Sequence, residues 1–90
     1  MENREEARKY FDRGVNFYER DCFNDAIREF TEAIRHFSKE ACIYGNRGAA
    51  YGQLGRYSEA IADFEKALQL DPGNAEYIDN IAMTKRARGW

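Results

Sequence analysis

The chain writes the same amphipathic segment twice. AIREFTEAI at residues 26–34 returns as AIADFEKAL at residues 60–68, a spacing of 34 residues. Laying residues 7–40 over 41–74 pairs Ala7 with Ala41, Tyr10 with Tyr44, Arg13 with Arg47 and Gly14 with Gly48. It also pairs Ala26 with Ala60, Ile27 with Ile61, Phe30 with Phe64 and Ala33 with Ala67. Phe17/Tyr51, Phe23/Tyr57 and Ile34/Leu68 are close replacements. The matches recur three or four residues apart, as one face of a helix requires. A fixed period of this length marks a stacked array, because one unit cannot hide its own apolar face and a second is laid against it.

Each unit reads as two helices. In the second unit the first helix is expected from about Glu40 to Leu54, with Gly55 in the left-handed position after it. Ser58 is placed to cap the next helix, which runs to about Leu70. Asp71-Pro72-Gly73-Asn74 ends it, since proline cannot continue a helix and Asn74 can cap another. In the first unit Asp21 stands where the glycine does, Asn24 is the expected cap, and Ser38-Lys39-Glu40 replaces the proline turn. That junction is expected to be tighter or more continuous than the later one.

The small residues have a mechanical reading. Gly14 and Gly48 on first helices would face Ala26 and Ala60 on second helices and let the backbones approach. Phe17, Tyr51, Phe30 and Phe64 would fill the volume beside that contact, and Ala33 and Ala67 would serve between one pair and the next. After Asn74 the pattern starts again and stops: Ala75 matches Ala41, Asn80 matches Asn46, Gly89 matches Gly55, and Ile78 and Ile81 are apolar. Lys85 stands where Tyr51 stood, so residues 75–88 read as a terminal cap with one wet face, covering Ile61, Phe64 and Leu68.

Composition narrows the function classes. Fourteen Lys and Arg against sixteen Asp and Glu give a net charge of −2, without the basic excess of a nucleic-acid binder. The two cysteines, Cys22 and Cys42, lie in no CxxC pair and have one histidine for company, so neither a disulfide framework nor a metal site is expected. No apolar run approaches the ~20 residues of a membrane span, and MENREEARKY lacks a signal peptide's apolar stretch. The expected address is therefore cytoplasmic. His36, late on a helix beside Phe37, reads as a helix-terminal side chain rather than a base. Glu5/Glu6 and Asp63/Glu65 read as solvated surface pairs, and no phosphate-cradling glycine frame is present. No catalytic, cofactor-binding or metal-binding residue is assigned.

The residues resemble the tetratricopeptide repeat, whose 34-residue helix–turn–helix follows W-x2-L-G-x2-Y, then A-x3-F, then P. The second unit carries Tyr44, Gly48, Tyr51, Gly55, Tyr57, Ala60, Phe64, Ala67 and Pro72 in those places; the first carries Tyr10, Gly14, Phe17, Phe23, Ala26, Phe30 and Ala33. Tyr10 and Tyr44 replace the tryptophan, and Arg13 and Arg47 the leucine; an Arg stem can lie on apolar surface with its head in water. The implied fold is all-α, a right-handed α-α superhelix of about five antiparallel helices. It forms one domain over residues 1–90, with repeats at 7–40 and 41–74 and a capping helix or truncated third repeat at 75–88.

In this family the first helices line a concave groove that receives partner segments. Carried over position by position, the groove is lined by Arg8, Phe11, Asp12, Val15, Tyr18 and Glu19, then by Cys42, Gly45, Asn46, Ala49 and Gln53. Glu76, Asp79, Asn80, Met83 and Arg86 complete it. Phe11, Val15, Tyr18 and Met83 lie off the expected core face, and Asn46 can bond a peptide backbone through its amide. One subclass clamps the terminal carboxylate of chaperone tails with lysine and asparagine. Here Phe11 and Val15, then Glu76 and Asn80, occupy clamp positions, and only Asn46 agrees. The expected function is therefore a non-catalytic adaptor or scaffold binding a peptide or helix of another protein, not a carboxylate clamp. The partner is neither nucleic acid nor membrane, and the chain is expected to be a monomer. Two alternatives stand beside it. One is self-assembly, with the cap displaced and copies stacking into a dimer or more, against which Lys85, Arg86 and Arg88 argue. The other is a regulatory segment of a longer repeat protein, suggested by the abrupt end at Gly89-Trp90.

Overall fold

A computed structural model describes residues 2–89; Trp90, invoked above, lies outside them. Five helices follow in order: α1 (Arg4–Glu19), α2 (Phe23–His36), α3 (Ala41–Gln53), α4 (Tyr57–Leu70) and α5 (Ala75–Arg88). Among the described residues there is no strand. Each helix packs on the next, and α1 also touches α3.

The punctuation is partly as the sequence indicates. Gly55 takes φ 75° and Gly89 φ 77°, and Asp21, in the same register as Gly55, accepts φ 62°. Asn74 caps α5, its side chain accepting from the Glu76 backbone N–H at 3.0 Å. Asn3 caps α1 in the same way through Glu6. The expected caps of α2 and α4 are corrected. Both helices begin earlier, after Cys22 and Arg56, which make no side-chain cap bond. Asn24 and Ser58 therefore lie inside the first turn, because Phe23 and Tyr57 join the helices that their rings help to bury. The junctions are corrected too. Residues 37–40 and 71–74 each leave four residues between helices, so neither is tighter. Glu2 secures the first by accepting from the Ser38 backbone N–H and hydroxyl, each at 2.9 Å.

The core is two successive clusters. The first gathers Ala7, Ala26, Phe30, Ala33 and Ile43; the second gathers Tyr44, Ala60, Phe64, Ala67 and Tyr77. The aromatic rings sit on the glycines rather than beside them. A Cβ on Gly14 would lie 2.5 Å from Phe30 Cε1, and one on Gly48 would lie 3.0 Å from Phe64 Cε1 and 3.2 Å from the Ala60 carbonyl oxygen. α5 packs over Phe64, which is buried, and Leu68, which is half-buried. It does so with Tyr77 and Ile81, while Ile78 faces solvent. Ile61, expected beneath it too, is buried but is not part of that cluster.

Two polar expectations fail instructively. Asp63 is not a surface carboxylate: it is 5% exposed. Nor does the Arg47 head reach for water. Its Nε and Nη2 donate to the two Asp63 carboxylate oxygens at 2.8 Å, and Nη1 donates to Thr31 Oγ1 at 3.1 Å. The bidentate match fixes geometry as well as charge, and Thr31 extends it into the preceding unit. Hydrogen bonding to Asp63 raises the Arg47 pKa above its ordinary value.

Candidate functional site: a groove across the first helices

The odd-numbered helices bring nine of the expected groove residues to two separate cavities. The first, about 270 Å³, lies between α1, the loop at 37–40 and the start of α3. Arg8, Phe11, Asp12 and Cys42 of the expected set line it, joined by Arg4, Phe37, Glu40 and Ile43. Its floor is apolar and its rim carries both signs of charge. Partial burial, then the Glu40 carboxylate, pushes the Cys42 thiol up, which favours its protonated form although the residue is exposed at the cavity rim. Both cysteines are free.

The second cavity, about 340 Å³, opens where α1, α3 and α5 converge. Tyr18, Ala49, Gln53, Asn80 and Met83 of the expected set line it. Tyr18 packs edge-on against Phe23, with ring centroids 5.2 Å apart, and its hydroxyl accepts from the Gln53 amide at 3.4 Å. Thr84, which lines the cavity beside Met83, donates its hydroxyl to the Asn80 carbonyl at 2.6 Å. The sequence did not single out Gly52, Tyr57, Thr84 or Ala87 here. Gly52 and Ala87 had a signal, since each falls three or four residues from a groove position on the same helix.

The remaining positions lie elsewhere. Val15 and Phe11 are half-buried and pack on the first core cluster; the Phe11 ring meets Phe30 at 5.8 Å between centroids. Both are thus core-edge residues, as is Tyr18, a correction to their expected place off the core; Phe11 and Tyr18 also line a cavity, and Val15 lines neither. Asn46 donates its amide to the Cys42 carbonyl at 2.8 Å within its own helix. Gly45 receives the Tyr77 ring, 2.7 Å from where its Cβ would stand, and so serves the joint with α5. Asp79 and Arg86 are exposed and line neither cavity. His36 ends α2, stacked on Tyr10 with centroids 5.3 Å apart. Among the described residues no cluster of His, Cys, Asp or Glu is placed to hold a metal ion, and no helix is long and apolar enough to cross a membrane.

Comparison with known proteins agrees with this geometry. Residues 41–74 match the family model of the tetratricopeptide repeat. The TPR2AB domain of yeast Sti1, in its pHSP90 complex, superposes with a TM-score of 0.91 at 30% identity, over 96% of this chain and 33% of that one. The Arabidopsis OM64 TPR domain gives 0.85 at 35% identity, over 89% of this chain and 66% of that one. The second TPR of Spaghetti (RPAP3), bound to the HSP90 peptide SRMEEVD, gives 0.89 at 26% identity, over 93% and 78%. The chain thus spans one third of the Sti1 chain and just under two thirds of the OM64 chain. No curated protein sequence matches it. With two in-phase repeats, five helices stacked as an all-α superhelix and a lone helix over the second core cluster, the chain belongs to the tetratricopeptide repeat family, as two repeats closed by a capping helix.

Proposed function

We propose that the chain is a non-catalytic interaction module that takes a segment of a partner protein in the groove formed by α1, α3 and α5. The observation that carries this is the convergence of Tyr18, Ala49, Gln53, Asn80 and Met83, from three helices, on one open cavity, with Met83 58% exposed. Apolar and amide groups gathered in a concavity are what a peptide or helix needs: contact area, and partners for its backbone. Asp12, Glu19, Glu76 and Asp79 are exposed against Arg8 and Arg86, so the acidic excess favours a neutral or basic amphipathic segment. A Met83→Arg variant, altered at an exposed side chain, is expected to fold normally and to lose the partner in affinity capture. Recovery of the same partner by both proteins would remove the groove assignment.

A second reading is favoured by the relatives, two of which hold HSP90 peptides. Under it, this groove would clamp a chaperone tail. The residues at the clamp positions speak against it. Phe11 and Val15 are committed to the core edge, and Glu76 is an exposed anion at the start of α5, where a terminal carboxylate would be repelled. Calorimetric titration with SRMEEVD separates the readings. No binding at micromolar concentration is expected, and micromolar affinity would transfer the chain to the clamp class. The alternative of self-assembly predicts mass growth with concentration in light scattering, where a constant monomer mass is expected.

A further inference from the structure

Six of the seven glycines have a structural reason to be glycine. Gly14, Gly45 and Gly48 each carry an aromatic ring where a Cβ would stand, and Gly55, Gly73 and Gly89 take positive φ. Gly52 has neither reason. It lies within α3, one residue from its last turn's end, and a Cβ there would meet nothing within 4 Å. A glycine in a helix loses more conformational freedom on folding than alanine does, and no packing contact in the fold offsets that loss at Gly52. What the missing side chain leaves is open space in the second cavity, whose floor Gly52 forms with Gly48 and Ala49.

The repeat register sharpens the point. At 34-residue steps the same helical position carries Tyr18 on α1, Gly52 on α3 and Arg86 on α5. A long side chain stands at each outer helix and none at the middle one. Moreover, no charged side chain lines this cavity, although a third of the chain's residues are charged. Its walls are Tyr18, Tyr57, Phe64 and Met83, and the amide residues Gln53 and Asn80 line it beside Thr84, whose hydroxyl is bonded to the Asn80 carbonyl. A charged occupant would lose its hydration without gaining an opposite charge. An apolar one gains area, and a cavity of about 150 Å³ is already enough to hold benzene.

We propose that Gly52 keeps this cavity open as the socket for one bulky uncharged side chain, aromatic or branched aliphatic, on the partner segment. The proposal rests on the groove reading above and adds the chemistry of the anchor. Tyr18 and Met83 close around the side chain, the thioether adapting to its shape, while Gln53 and Asn80 bond the flanking backbone.

Selection of a phage-displayed library of random 12-residue peptides against the full chain provides the test. Selected peptides are expected to share one fixed aromatic or branched aliphatic residue. Replacing that residue by alanine, or the protein's Gly52→Leu, should each weaken binding at least tenfold. The two together should lose no more than either alone, since they remove the same contact. Circular dichroism should show Gly52→Leu folded; Gly52→Ala serves as the milder variant, with a smaller loss in the same direction. A fixed charged residue, or a loss below tenfold with Gly52→Leu, overturns the socket. In that event the groove itself still stands if Asp12→Lys and Asp79→Lys, outside the cavity, alter the affinity. Failure to select any peptide overturns both.

Discussion

Arg47 and Asp63 form the buried ion pair of the second repeat, and their counterparts in the first, Arg13 and Glu29, do not meet. Arg13 stays exposed, its guanidinium 5.2 Å from the centre of the Tyr10 ring, while Glu29 Oε1 is buried without a hydrogen-bond partner among the described residues. Thirty-four residues give the same helices but not the same bonds. Arg47 is held from both sides, by Asp63 on α4 and by Thr31 on α2.

Removing one partner of such a pair strands the other. Asp63→Ala is expected to cost about 3 kcal/mol in urea unfolding, the low end for a buried pair because the Arg47 side chain keeps 19% exposure. Arg13→Ala, at an exposed site, should cost no more than about 0.5 kcal/mol. Equal losses would mean that the pair contributes nothing particular to the second repeat.

The glycines divide by what stands over them. Gly14→Ala drives a Cβ into the ring of Phe30, which is fully buried, and should destabilise by about 1–3 kcal/mol despite alanine's better helix propensity. Gly52→Ala meets no atom and should stabilise by about 0.5–1 kcal/mol. Thermal melts of the two variants should move in opposite directions.

Deleting residues 75–90 removes Tyr77 and Ile81 from the second core cluster and uncovers Phe64 and Leu68. The shortened chain is expected to melt lower and to associate as its concentration rises. A truncated chain that remained monomeric with an unchanged melting temperature would show that α5 is not the shield.

The Glu2–Ser38 clip carries a pH signature. The Ser38 backbone N–H, then its hydroxyl, hold the Glu2 carboxyl below its ordinary value of 4.5. A lowered folded pKa means that the clip's contribution is present above 4.5 and is lost as pH falls through the folded value. The Ser38 amide resonance is therefore expected to titrate with a midpoint below 4.5, and Glu2→Gln should abolish that titration. A midpoint at or above 4.5 would contradict the bond.

Alone, the sequence determined the helices, their period and the faces that they bury. Ala26/Ala60, Phe30/Phe64 and Ala33/Ala67 repeat because each must face inward on its own helix, and that is a local geometric condition which spacing records. Gly55 in the left-handed position and Asn74 as a cap were legible for the same reason: both answer to neighbours a few residues away. Only the tertiary structure decided what lies across helices. That Asp63 is buried against Arg47 while Glu29 is not paired depends on reach and on what the adjoining helix supplies, and no period within one helix encodes either. Likewise Tyr77 on Gly45, and the vacancy beside Gly52, exist because separate helices meet at a particular height and angle. The repeat register named Arg8, Phe11, Asp12, Tyr18, Ala49, Gln53, Asn80 and Met83, which line the two cavities, and also Val15, Asn46, Asp79 and Arg86, which line neither; that division, and the lack of charge in one cavity, required the helices to be packed.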